Sequence, residues 1–262
     1  MILGFDPVTS GRADRVCAGR ATGTFPASIM SDAAAIEPTA LDHVALWVAD
    51  RDYVAAFLIN HLGMHEIERT DEFTLVGAEA RLGKLTLFAA EGPREPGVLE
   101  RVVLSVTDLE AAVARLPADL ARERVDGVVA FEGPEGLGLG LAEAEDPQVE
   151  YDINRVIVRV PDPARAHDEL EALGFEARGD ALAVAEKELR LEVGERGREE
   201  RPLLNHIALL VDSANGVRDE AERRGLEIDR FVDAENTLAV FVWGPDGIKL
   251  EYVEHKPTFS LV

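Results

Sequence analysis

The chain contains one cysteine, Cys17, so no disulfide can form within it, and its compartment reads as a reducing cytoplasm. Lysine is nearly as scarce: Lys84, Lys187, Lys249 and Lys256 are the only ones, and arginine carries the rest of the positive charge. Long apolar runs are missing too. None approaches the roughly 20 residues that a membrane-spanning helix needs. Basic charge is short overall, with 27 Lys+Arg against 50 Asp+Glu and a formal net charge of -23. A chain this acidic is repelled by the nucleic-acid backbone and by anionic membrane surfaces, which argues against both as partners. Acidic, lysine-poor composition also occurs in salt-adapted proteins, and high-GC coding gives a similar arginine bias.

What the chain does have is enough apolar material to fold. Hydrophobic residues make up 47% of 262 positions, sufficient for one large or two small domains. Residues 1–38 stand apart as a disordered leader. Met1 to Ile29 is rich in Gly, Ala, Ser, Thr and Arg, lacks periodicity and lacks the continuous apolar stretch of a secretory signal. Its composition also allows an organelle transit peptide, and Met30 offers an alternative start.

The rest of the chain repeats itself. Leu41-Asp42-His43-Val44-Ala45-Leu46-Trp47-Val48 is echoed by Leu99-Glu100-Arg101-Val102-Val103-Leu104-Ser105-Val106. Ile153-Asn154-Arg155-Val156-Ile157-Val158-Arg159-Val160 and Leu204-Asn205-His206-Ile207-Ala208-Leu209-Leu210-Val211 complete the set. Each has a polar residue, then His or Arg, then a β-rich run, with Asp soon after. The key positions 43, 101, 155 and 206 lie 58, 54 and 51 residues apart.

Helical spacing of apolar residues follows each run, over Asp52 to Leu62, Leu109 to Leu116, Pro163 to Leu173 and Ala214 to Gly225. Three short β-like pieces come next; in the last copy they are Glu227 to Val232, Thr237 to Trp243 and Ile248 to Val253. Gly244-Pro245-Asp246-Gly247 supplies a hairpin turn, matched by Gly133-Pro134-Glu135-Gly136. The repeats predict an α+β protein of four βαβββ modules, at residues 39–92, 97–146, 151–196 and 202–256.

This arrangement resembles the vicinal oxygen chelate superfamily, which includes glyoxalase I, bleomycin-resistance proteins and type I extradiol dioxygenases. The Asp/Asn-His-hydrophobic opening and the Gly-Pro-Asp-Gly…Leu-Glu-Tyr ending carry the resemblance, which runs from Ala40 to about Lys256. It implies that modules pair edge to edge into two cupped, barrel-like mixed sheets. It also implies that a divalent metal sits in a cup, held from the first and last strands of paired modules.

Aligned on the turn before the last strand, the ligand positions are His43 and Thr86 in module one, and Arg101 and Gly140 in module two. Module three offers Arg155 and Glu192, and module four His206 and Glu251. Pairing modules one and four gives His43, His206 and Glu251, the 2-His-1-carboxylate set suited to Fe(II) first and Mn(II) next. Modules one and four also share a Val/Ile-Ala-Leu run, while two and three share Arg-Val. Pairing three with four would instead set Arg155 and Glu192 beside His206 and Glu251, and a guanidinium cannot ligate a metal. In the outer pairing, modules two and three form a degenerate cup in which Arg155 and Glu192 are expected to form an ion pair; a small anion is the alternative occupant.

The resemblance implies a small aromatic or vicinal-oxygen substrate and either extradiol ring cleavage, isomerase or lyase chemistry with Zn(II) or Ni(II), or non-catalytic binding. Glyoxalase I typically supplies a second carboxylate where this chain has Thr86. The dioxygenases commonly carry Tyr ten residues before the metal Glu; here that place holds Phe241. Phe241, Thr86 and Tyr252 are the candidate substrate contacts, although Tyr252 follows Glu251 directly and should face the other way. His61, His65, His167 and His255 read as solvated or capping residues. Open sheet edges also allow a homodimer.

Overall fold

The computed structural model describes residues 36–195 and 201–259. Most of the expected leader, including Cys17 and Met30, lies outside them. Residues 36–38 do not belong to it: Ile36 is buried in the core, and the next residue, Thr39, donates its amide to the Leu210 carbonyl.

The first copy runs through β1 (Ala40–Val48), α1 (Arg51–Leu62), β2 (His65–Arg69), β3 (Phe73–Gly77) and β4 (Lys84–Ala89). The second runs through β5 (Leu99–Val106), α2 (Leu109–Ala114), β6 (Arg122–Val125), β7 (Val128–Glu132) and β8 (Gly138–Glu143). The third comprises β9 (Ile153–Val160), α3 (Pro163–Ala172), β10 (Glu176–Arg178), β11 (Ala181–Val184) and β12 (Lys187–Val193). The fourth comprises β13 (Leu204–Leu210), α4 (Ala214–Arg224), β14 (Ile228–Asp233), β15 (Thr237–Trp243) and β16 (Lys249–His255). The acid or hydroxyl that follows each first strand is the helix N-cap: Asp50, Asp108, Asp162 and Ser213 each accept a backbone N–H of the first turn. Gly63 and Gly225 end α1 and α4 in the left-handed region, which glycine enters without a Cβ clash.

These elements form two eight-stranded mixed sheets, ordered β14-β15-β16-β13-β1-β4-β3-β2 and β10-β11-β12-β9-β5-β8-β7-β6. Copies one and four build the first, copies two and three the second. Neither closes into a barrel, because the end strands of each sheet do not pair with each other. The result is an open cup whose concave face a small molecule can reach.

Strand alternation decides what each face carries. Val44, Leu46, Leu85, Leu87, Ile207, Leu209 and Leu250 turn away from the first cup into one hydrophobic core. They share it with Val102, Leu104, Val156 and Val158 of the second sheet. Side chains of the repeat turns tie neighbouring copies together. The Glu135 carboxylate accepts the amides of Ala49 and Asp50 at 2.7 and 2.8 Å, and Arg165 donates to Asp246 at 2.8 Å.

Register corrects one alignment. Glu251 lies level with Ala208, two residues beyond His206. In the third copy the residue level with Ile157, two beyond Arg155, is Arg190 and not Glu192. A two-residue turn, Ala185-Glu186, replaces the Gly-Pro-acid-Gly turn of copies two and four, so counting from the turn overshoots. The expected Arg155–Glu192 ion pair is not formed: Glu192 lies level with Arg159 and 3.8 Å from its guanidinium.

Candidate metal centre

His43 on β1, His206 on β13 and Glu251 on β16 point into the first cup from three adjacent strands. Their ligand-type atoms lie within 4.8 Å of one another. His206 Nε2 is 2.9 Å from Glu251 Oε2, His43 Nε2 is 3.4 Å from the same oxygen, and the two Nε2 atoms are 3.3 Å apart. Donors each roughly 2.1 Å from a shared ion stand roughly 3.0–3.4 Å apart, so the separations fit one.

The surroundings set the tautomers. His43 Nδ1 is 2.8 Å from Asp42 Oδ2, and His206 Nδ1 is 3.2 Å from Asn205 Oδ1. Both partners accept, so each Nδ1 carries the proton and each Nε2 turns a lone pair toward the other and toward Glu251. Burial lowers the pKa of His206 despite the adjacent Glu251 carboxylate, which favours the neutral, ligating imidazole. Three electron-rich atoms then face one another in a buried site, an arrangement that a divalent cation stabilises. The donor set therefore fits a single divalent metal.

Asp42 is the hub behind His43. It is buried, and both its oxygens accept from Lys84 Nζ at 2.9 and 2.8 Å. His255 Nε2 approaches its Oδ1 at 3.4 Å. Burial alone would raise the Asp42 pKa, but the bonds to His255 and His43 and the Lys84 ammonium hold it well below the usual carboxylate range. Removing either outer partner should loosen the ligand it orients. Asn205→Ala is expected to weaken metal binding about 10–100-fold with little loss of folded structure. Metal titration followed by calorimetry checks this, and unchanged affinity would contradict it.

The cup encloses a cavity of about 360 Å³, lined on its apolar side by Phe73, Leu75, Phe88, Phe241 and Val253. The Phe241 ring stands edge-on to His206, with centroids 5.1 Å apart. Arg230 lies over the Phe241 ring, its guanidinium 4.4 Å from the centroid. Lys256 donates to Asp233 and the Ala234 carbonyl, and Thr258 Oγ1 donates to the Glu235 carbonyl. Anchored in this way, the segment brings Phe259 to stack on His255 at 3.7 Å, beside Lys84.

Residues 40–252 match the Glyoxalase/Bleomycin resistance protein/Dioxygenase superfamily. The chain belongs to this superfamily. No curated protein sequence matches it. Among solved structures, a Bacillus subtilis protein named as a candidate dioxygenase superposes with a TM-score of 0.69 at 17% identity, over 85% of this chain and 87% of that one. Glyoxalase I from Zea mays superposes at 0.64 with 18% identity, over 82% and 92%. The cppA protein of Streptococcus pneumoniae gives 0.57 with 16% identity, over 83% and 98%. At these identities the likenesses establish the superfamily's fold.

Within that fold the structure brings His43, His206, Glu251, Thr86 and Phe241 to one cavity. It does not bring Tyr252, which is fully buried on the opposite strand face and donates its hydroxyl to the Leu173 carbonyl at 2.7 Å. His61 is bound to the Arg115 carbonyl and His167 faces Glu171 across one helical turn, both away from the site. His255, expected as a solvated residue, lines the cavity. Asp42 stood in the repeat motif itself, as the polar residue before the histidine. For Lys84 the sequence offered no signal, because its burial comes from pairing across strands.

Proposed function

We propose that the protein holds one divalent metal, Fe(II) or else Mn(II), through His43 Nε2, His206 Nε2 and Glu251, and cleaves a catechol- or hydroquinone-like ring by extradiol-type dioxygenation. The carrying observation is the convergence of two imidazoles and one carboxylate in a largely buried cup. When bound, the metal would supply Lewis-acid chemistry toward a substrate with two neighbouring oxygens and toward O2.

The protein's own residues do the rest. Phe73, Phe88 and Phe241 offer apolar faces for a planar ring. Asp42 and Asn205 fix the imidazoles so that the lone pairs face inward before any ligand arrives. Phe241 has no hydroxyl to hold a substrate proton. His255, the cavity histidine outside the ligand set, is the group placed to take one, with Asp42 to stabilise the resulting charge. Thr86 leaves the site one carboxylate short of a glyoxalase-type set, which favours ring cleavage over isomerisation.

The test is oxygen uptake by protein reconstituted anaerobically with Fe(II) and offered a panel of catechols and hydroquinones. The expected result is consumption of O2 with a new ring-opened chromophore, both abolished in Glu251→Gln. Metal binding without oxygen uptake would overturn the dioxygenase reading. Zinc- or nickel-dependent isomerase turnover would then take its place.

A further inference from the structure

The second sheet reproduces the register of the first, strand for strand. Across the central pair of the first cup, His43 faces Ala208 and Ala45 faces His206; across that of the second, Arg101 faces Ile157 and Val103 faces Arg155. Along the parallel pairs, Ala208 is level with Glu251 and Ile157 with Arg190. Arg101, Arg155 and Arg190 therefore occupy the stations that His43, His206 and Glu251 hold in the first cup. A guanidinium has no lone pair for a metal, but its planar fork of N–H donors matches a phosphate or carboxylate.

These forks are only partly used. Arg155 donates through Nε to Asn154 Oδ1 at 2.8 Å, a neutral partner, and Arg190 through Nε to Glu188 at 2.9 Å. Arg101 reaches Glu100 through Nη2 at 3.3 Å, while its buried Nε has no partner. Glu100 is shared with Arg159 at 3.0 Å. Among the described residues, the Nη groups of Arg155 and Arg190 meet no acceptor within hydrogen-bonding distance. The charged side chains of these central strands on this face are Arg101, Arg155, Arg159 and Arg190, against Glu188 and Glu192, with Glu100 at the edge. Arginine therefore predominates on these three strands of a chain of net charge -23, while Glu123 and Glu132 stand on the outer strands β6 and β7.

Beside Arg101, on the side away from Arg155 and Arg190, β8 presents only Gly138, Gly140 and Ala142. A Cβ at Gly140 would stand 2.6 Å from Val128 and 3.0 Å from the Arg101 stem, so glycine there lets Arg101 lie across the sheet. Burial lowers the pKa of Arg155, the Arg190 charge adds to that, and Glu188 and Asp126 oppose it. Crowded, half-buried cations of this kind are stabilised by an anion.

We propose that the concave face of the second sheet is a binding site for a small oxyanion, gripped by Arg101, Arg155 and Arg190. The adjoining cavity is lined by Glu100, Glu123 and Glu132 together with Arg101 and Arg122, so its acids favour an anion at the end nearest Arg155 and Arg190. This site is independent of the metal site proposed in the first cup.

Isothermal titration with inorganic phosphate and, separately, with succinate tests it on the full-length protein. Calorimetry is chosen because phosphate stabilises folded proteins generally by exclusion from their surface. Saturable binding of at least one anion is expected in wild type and in His206→Ala. Arg155→Met and Arg190→Met should each weaken it at least about tenfold. Arg155→Lys, which keeps the charge without the fork and guards against misfolding, should fall between. Phosphate alone or succinate alone as the ligand would each support the site and name its chemistry. No saturable binding of either, or binding lost in His206→Ala but kept in Arg155→Met, would overturn it.

Discussion

Asp42→Ala is expected to destabilise the metal-free protein by about 3–5 kcal/mol, because it strands a buried ammonium. Lys84 is 2% exposed, and both hydrogen bonds shown for its Nζ go to Asp42. Little in its environment replaces them: on the same face of β4 only the Thr86 hydroxyl is an acceptor, and the nearby Phe259 ring offers a weak contact at 6.0 Å. Lys84→Met in the same background removes the stranded charge and should recover most of the loss. Urea unfolding of the two single variants and the double variant measures this, and a loss below about 1 kcal/mol in Asp42→Ala would mean that the pair is solvated.

The acid side should respond in step. The folded pKa of Asp42 is depressed, so its contribution is complete above the roughly 3.9 of an unfolded aspartate and vanishes as pH falls through the lower folded value. Asp42→Ala should lack that part of the acid transition.

His206→Ala should cost more metal affinity than loss of an outer partner does, well beyond about 100-fold. It removes one of the donor atoms and leaves His43 Nε2 and Glu251 3.4 Å apart with no third group from β13. The other nearby groups are poorly placed to substitute, His255 being turned to Asp42 through its Nε2 at 3.4 Å. Thr86 is a poor donor, Asp42 is held by Lys84 and His43, and Tyr252 faces the core. Competition against a chromophoric chelator measures the change. Affinity within about tenfold of wild type would place the metal elsewhere.

Much of this is legible in the sequence because the repeat carries its own physics. Alternating strands, an N-capping Asp or Ser after each first strand and two Gly-Pro-acid-Gly turns fix the α+β units, and equivalent strand positions put His43, His206 and Glu251 on inward faces. What escapes depends on small shifts of strand length. β16 runs to His255, two residues past the expected Val253, and that extension brings His255 into the cavity. The shortened turn at Ala185-Glu186 moves Arg190 to the station assigned to Glu192. A lysine on a strand reads as solvent-facing; only the parallel pairing of β1 with β4, which sets His43 level with Lys84, buries it against Asp42.

The most direct test of the central claim is elemental analysis of the purified protein beside Glu251→Gln, before and after anaerobic reconstitution with Fe(II). Near-stoichiometric iron or manganese in wild type, lost in the variant, is the predicted result. Failure of the reconstituted wild-type protein to retain any divalent metal would contradict the account and leave His43, His206 and Glu251 as a hydrogen-bonded cluster in an apolar binding cup.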